Sequence, residues 1–169
     1  DLPLRMEDFR ASERSFQLLV QVAGRAGRGD RAGEVFVQSY APHSPSIQYA
    51  RQSNLEGFLE DELHQRKEFR YPPYRHLVRH LFRGRNDDKT FFFAEQWVRH
   101  IKGKLPSDVE TRGPAPAPIE KMKGRYRFQL WYFTESVTRL VPVLTKLREE
   151  FPLDKEIIDV LDVDAFSLS

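Results

Sequence analysis

The sequence predicts an α+β chain, with a helical N-terminal part followed by a C-terminal βαββαβ domain whose four strands form one sheet with two helices on one face. Three observations lead there. Phe16, Leu19, Val20 and Ala23 recur at helical spacing. Residues 125–134 alternate strictly between two sets, as a strand requires. Tyr71-Pro72-Pro73-Tyr74 is a rigid boundary, because proline fixes φ and pushes its predecessor towards extended geometry.

Taken in order, residues 12–28 read as a helix that ends at Gly29-Asp30-Arg31. The β-rich run 34–40 reads as a short strand, broken off by Pro42 and Pro45. Residues 46–69 form a connecting helical region with Leu55, Phe58, Leu59 and Leu63 on one side. The sequence therefore divides into 1–45, 46–70 and 71–169. Within the last part, 76–85 is a strand, and 87–105 is a helix with Ala94, Trp97, Val98, Ile101 and Leu105 inward. Residues 109–113 make a second strand, and the following Pro-Ala-Pro-Ala-Pro is an extended arm or turn. Residues 125–134 are the third strand. A helix over 136–151, which Pro142 either begins or kinks, and a fourth strand over 157–163 complete the pattern. Phe93 and Trp97, with Phe91 and Phe92 beside them, read as core rather than a base-stacking platform.

Forty per cent hydrophobic residues among 169 suffice for a core, and no apolar run is long enough to form a membrane-spanning helix, so nothing argues for membrane or export and a cytoplasmic location is expected. With no cysteine and five scattered histidines, thiolate metal sites and disulfides are excluded. Asp162 and Asp164 could offer two carboxylates to a metal, but no third ligand is in view, so no metal site is expected. Net charge is only +2, yet its distribution is polarised. Residues 66–85 hold seven Lys/Arg against one acid, and residues 148–164 hold two against seven. The basic stretch, with aromatics and histidines interleaved, suits a nucleic-acid backbone through Arg79, Arg83 and Arg85. Pairing with the acidic C-terminal stretch is the rival reading.

Gln21, Arg25 and Arg28 fall at i, i+4 and i+7. On a helix they share one face, within about 60 degrees of arc. Paired guanidiniums on one helical edge suit the charge that develops on a transferred phosphoryl group, with Gln21 as an orienting group. No Gly-x-x-x-x-Gly-Lys-Ser/Thr loop is present, so this chain alone is not expected to hydrolyse ATP. On the strand over 125–134, Arg125, Arg127 and Gln129 form a row on one face, able to grip an extended acidic peptide or a phosphate backbone.

The stretch Gln21-Val22-Ala23-Gly24-Arg25-Ala26-Gly27-Arg28, preceded by Asp8-Phe9-Arg10-Ala11 and Glu13-Arg14, resembles the last motor motif of superfamily-two helicases. Downstream, Tyr71-Pro72-Pro73-Tyr74, Gly113-Pro114-Ala115-Pro116-Ala117-Pro118, Gly124-Arg125-Tyr126-Arg127-Phe128-Gln129-Leu130 and Leu161-Asp162-Val163-Asp164 narrow the resemblance to the PriA replication-restart helicases, over nearly the whole chain. The resemblance implies that residues 1–45 are the end of a second RecA-like lobe, and that the chain was cut from a longer ATP-driven 3′ to 5′ DNA helicase. It implies ATP and Mg²⁺ in that parent, with a zinc-binding segment upstream of this chain. Implied partners are branched and single-stranded DNA, other primosome proteins, a replicative helicase loader, and the acidic tail of the single-stranded DNA-binding protein SSB, held by Arg125 and Gln129. The alternative is the appended domain of another superfamily-two motor, acting on RNA or recombination intermediates, that mainly braces the motor lobes.

Overall fold

A computed structural model of the chain describes residues 9–26, 34–152 and 154–163. The chain divides between Phe69 and Arg70 into two compact units. The first holds α1 (Ala11–Ala26), α2 (Pro45–Arg51) and α3 (Leu55–Glu68). The second holds β1 (His76–Gly84), α4 (Asp87–Ile101), β2 (Glu110–Met122), β3 (Arg125–Thr134), α5 (Val137–Glu150) and β4 (Ile158–Val163).

In the first unit, Phe16 of α1 stacks on Phe58 of α3 with ring centroids 4.1 Å apart, and Tyr49 meets Phe58 edge-on. The region expected as one helix over 46–69 is two, because Ser53 takes a positive φ and Asn54 caps α3 by accepting from the Gly57 amide at 2.9 Å. The stripe expected to pack inward is also displaced. Leu55, Leu59 and Leu63 stay exposed, and the buried face of α3 carries Phe58 and Glu62. Phe58 is buried on Phe16, and Arg66 contacts Glu62 and Glu13 at 2.9 Å each, which ties α3 to α1 beside the stacked rings. Residues 34–39 do not form the expected strand; they are irregular, and no strand partner lies beside them among the described residues.

In the second unit the strand order is β2-β3-β1-β4, every pair antiparallel, as a split βαβ layout with two helical crossovers requires. One face carries Val78, Phe82, Phe128, Leu130 and Tyr132, and both helices cover it. Phe93, Ala94, Trp97 and Ile101 come from α4, and Leu140, Leu144 and Leu147 from α5. Pro142 sits inside α5, which is continuous from Val137 to Glu150. Proline's missing ladder bond explains the position of β2. The Pro-Ala-Pro-Ala-Pro run expected as an arm belongs to this strand, which lies at an edge of the sheet and takes two irregularities in its pairing with β3. From Arg112 to Ala115, three steps of β2 face two of β3; from Pro116 to Lys121, five face two. Lys123 and Gly124, with φ of 49° and 73°, turn the chain into β3 as a type I′ hairpin loop.

A buried polar chain crosses the helical face. Trp97 Nε1 donates to the Tyr132 hydroxyl at 2.7 Å, and that hydroxyl lies 3.2 Å from His80 Nδ1. His80 Nε2 lies 2.8 Å from Asp159, whose carboxylate also accepts two bonds from Arg148, at 2.6 and 2.9 Å. Since Tyr132 receives the Trp97 proton, its own proton goes to His80 Nδ1, which leaves Nε2–H to donate to Asp159. Burial lowers the His80 pKa against the opposing pull of Asp159, so the ring is neutral. Burial pushes Asp159 up, but the bonds from His80 and Arg148 outweigh it and hold the carboxyl well below the usual range.

Candidate anion-binding site

The second face of the sheet is built by strand alternation from Arg79, Leu81 and Arg83 of β1, Arg125, Arg127, Gln129 and Trp131 of β3, and Val160 and Asp162 of β4. In register, Arg83 stands opposite Arg127, Leu81 opposite Gln129, and Arg79 between Trp131 and Asp162. The residues expected to serve two partners therefore share one surface. Only Arg85 stands apart, exposed just beyond the end of β1.

This face is less open than an alternating strand predicts. Arg79, Arg127 and Gln129 are each at most 7 % exposed, whereas Arg83, Arg125 and Trp131 are half-buried. Part of the cover is β2 itself, whose extra residues bring the Ile119 carbonyl within 3.2 Å of Arg127 Nη1. Edge position and proline content permit that detour, a feature that periodicity alone does not reveal. Gly113 permits the earlier irregularity, between Arg112 and Ala115: its φ is +107°, and a Cβ would lie 2.7 Å from the Gln129 carbonyl oxygen.

Positive charge on this face exceeds its partners. Arg79 Nη2 pairs with Asp162 at 2.9 Å and lies near the Trp131 ring, its guanidinium 6.0 Å from the centroid. Its Nε and Nη1 are buried without a hydrogen-bond partner, as are Arg83 Nε and Gln129 Oε1. Burial, then the charges of Arg79 and Arg83, hold the Arg127 guanidinium below the usual arginine range, although it stays protonated at neutral pH. Like charges directly opposite on a sheet destabilise it, and a buried unpaired donor costs more. An anion entering this face would relieve both. The rival pairing of the basic and acidic stretches holds in part, through Arg79 with Asp162; neutral His80 adds a hydrogen bond to Asp159.

Elsewhere the sequence-based expectations meet the structure unevenly. Gln21 and Arg25 are exposed on α1, and Arg28 lies outside the described residues. No neighbour approaches Gly24 within 4 Å among the described residues. Of the apolar residues at helical spacing in α1, Phe16 is buried, while Val20 is 40 % exposed. Phe93 and Trp97 are core, as expected. Asp162 is engaged by Arg79, Asp164 lies outside the described residues, and no cluster of three metal-ligating side chains occurs among those described. Spacing did not single out Asp162 as the partner of Arg79, because the two are 83 residues apart and meet only through the β1–β4 register.

Residues 67–164, which contain the whole sheet and this face, match the Primosomal protein N C-terminal domain family. The chain belongs to that family. It is 37 % identical over 168 residues to replication restart protein PriA of Synechocystis, covering 99 % of this chain and 20 % of the relative. The PriA proteins of Bacillus subtilis and Thermotoga maritima are 35 % and 36 % identical, covering 92 % and 82 % of this chain and 19 % and 18 % of theirs. The chain thus spans about a fifth of the length of these relatives. As a member of the primosomal family it carries, on one sheet face, the arginine cluster described above.

Proposed function

We propose that this chain is the C-terminal part of a PriA-like, ATP-dependent 3′ to 5′ DNA helicase that restarts stalled replication forks, and that its C-terminal domain docks the acidic tail of SSB. The observation that carries the docking reading is the pairing of half-buried Arg83 with buried Arg127, beside Gln129 and Arg79 with unsatisfied polar atoms. A peptide carboxylate supplies the missing charge, and a peptide N–H supplies the donor that Gln129 Oε1 lacks. Arg125, Arg127 and Gln129 hold the tail. Arg83 and exposed Arg85 extend the basic surface towards branched or single-stranded DNA.

The first unit fits the end of a RecA-like motor lobe. A cavity of about 430 Å³ lined by Leu19, Ala23, Val35, Val37 and Ile47 is where the rest of that lobe would pack. Gln21, Arg25 and Arg28 would then face ATP and Mg²⁺ held mainly by the rest of the parent, with zinc bound upstream and loading of the replicative helicase left to other primosome partners. This chain by itself would bind DNA and protein partners, and it would not hydrolyse ATP.

Fluorescence anisotropy of a labelled acidic peptide ending in Phe tests the docking reading. Salt-sensitive micromolar binding, lost in Arg125→Ala and Arg127→Met, is the expected result. Equal binding by both variants would place the peptide elsewhere, and binding by none would leave DNA or lobe bracing as the work of this domain.

A further inference from the structure

Asp162 sits where a ligand's carboxylate would be most useful. It reaches Arg79 from the edge strand β4, on the face that holds the Arg83–Arg127 pair. Its grip is partial. One oxygen meets one nitrogen, Nη2 at 2.9 Å, while Nε and Nη1 of the same guanidinium remain buried and unpartnered. The Asp162 side chain is 39 % exposed against 9 % for Arg79, so the carboxylate stands at the rim and the cation inside. A guanidinium holds a carboxylate best through two parallel bonds, and this geometry uses one. The single carboxylate also leaves Arg83 and Arg127 uncompensated.

We infer that Asp162 is an internal competitor of the anion this face accepts: it occupies Arg79 in the empty site, and an arriving carboxylate displaces it. The inference rests on the docking reading above and adds its regulation. Asp162 keeps Arg79 from standing unpaired in the empty site, and the same contact lowers affinity for the incoming acid. Anions that deliver one charge to Arg83 and Arg127 but cannot displace Asp162 bind weakly, which favours peptides with two or more acidic groups over isolated ions.

The test compares the whole chain with Asp162→Asn, Arg79→Gln and the double variant, using the labelled acidic peptide as one probe and inorganic sulfate, read by thermal shift, as the other. Circular dichroism verifies that each variant is folded. Asp162→Asn should bind the peptide roughly three- to thirty-fold more tightly, a scale between an ordinary hydrogen bond and one to a charged group, because the carboxylate is partly exposed. The gain should vanish in the Arg79→Gln background, because the two residues act through one contact. Unchanged or weaker peptide binding by Asp162→Asn, with the wild type binding normally, would overturn the inference and make Asp162 a positioning residue for Arg79. If the wild type ignores the peptide, the docking reading fails. The competitor then survives only if Asp162→Asn is stabilised more by sulfate than the wild type is, and equal stabilisation sinks it too.

Discussion

Replacing Arg83 by Met should make the second unit more stable while destroying its anion site. The guanidinium stands directly opposite Arg127 in the β1–β3 register, and its Nε is buried without a partner. Methionine preserves much of the apolar stem and removes the charge. Opposed like charges on neighbouring strands cost about 0.2–1 kcal/mol. An unsatisfied buried donor costs roughly 1–3 kcal/mol. Arg83 is half-buried, so the lower part of those ranges applies, and the net gain should be about 1–2 kcal/mol. At about 4–8 °C per kcal/mol for a domain of this size, the melting temperature should rise by roughly 4–16 °C. Scanning calorimetry at low ionic strength would measure it. The gain should shrink in concentrated salt, which screens the half-exposed end of the repulsion. The same variant should lose at least about tenfold in affinity for the acidic peptide. A melting temperature that stays level or falls would refute the reasoning, since Arg83 would then be held by the fold and no anion would be required to compensate it.

The His80–Asp159–Arg148 chain should make the second unit acid-labile in two stages. His80 has a folded pKa below its usual value, so its stabilisation is complete above about pH 6.5 and is lost as pH falls, because only the unfolded state takes the proton. Asp159, also lowered, contributes above about pH 4 and is lost below it. Urea midpoints between pH 7.5 and 3 should therefore decline in both windows, and His80→Gln should flatten the upper one; a profile indifferent to that substitution would place the upper titration elsewhere. Gly84→Ala should destabilise by about 1–3 kcal/mol, since a Cβ there collides with Thr90 Oγ1 and would lie 2.6 Å from Ile157 Cδ1. Denaturant unfolding would check that, and a loss below about 0.5 kcal/mol would show that the β1–α4 contact yields easily. Phe58→Ala should cost the first unit about 3–5 kcal/mol by removing the ring on which Phe16 stacks. Protease susceptibility within α1 and α3 should rise accordingly, while the second unit's melting stays unchanged.

Local physics settled much of this molecule in advance. The alternation in β3 and the helical spacing of Phe93, Trp97 and Ile101 mark one buried face each, and the βαββαβ order follows from where those patterns change period. Burial of an apolar side is a property that neighbouring residues announce together, so those elements are legible without a partner. Three features depended on residues distant in the chain. The face that α3 buries is the one on which Phe58 meets Phe16 and Arg66 meets Glu13, 53 positions earlier. The detour of β2 follows from proline being tolerated only at a sheet edge, and edge position is a fact of topology. The anion site depended on strand register. In the sequence, Arg79 and Arg83 belonged to one basic run and Arg127 and Gln129 to another, and each invited its own partner. Antiparallel register places the two runs on one face and sets Asp162 beside Arg79. The sequence by itself determined which side chains could meet an anion. Only the tertiary structure decided that they would meet the same one, because excess charge becomes costly only where the fold gathers and buries it.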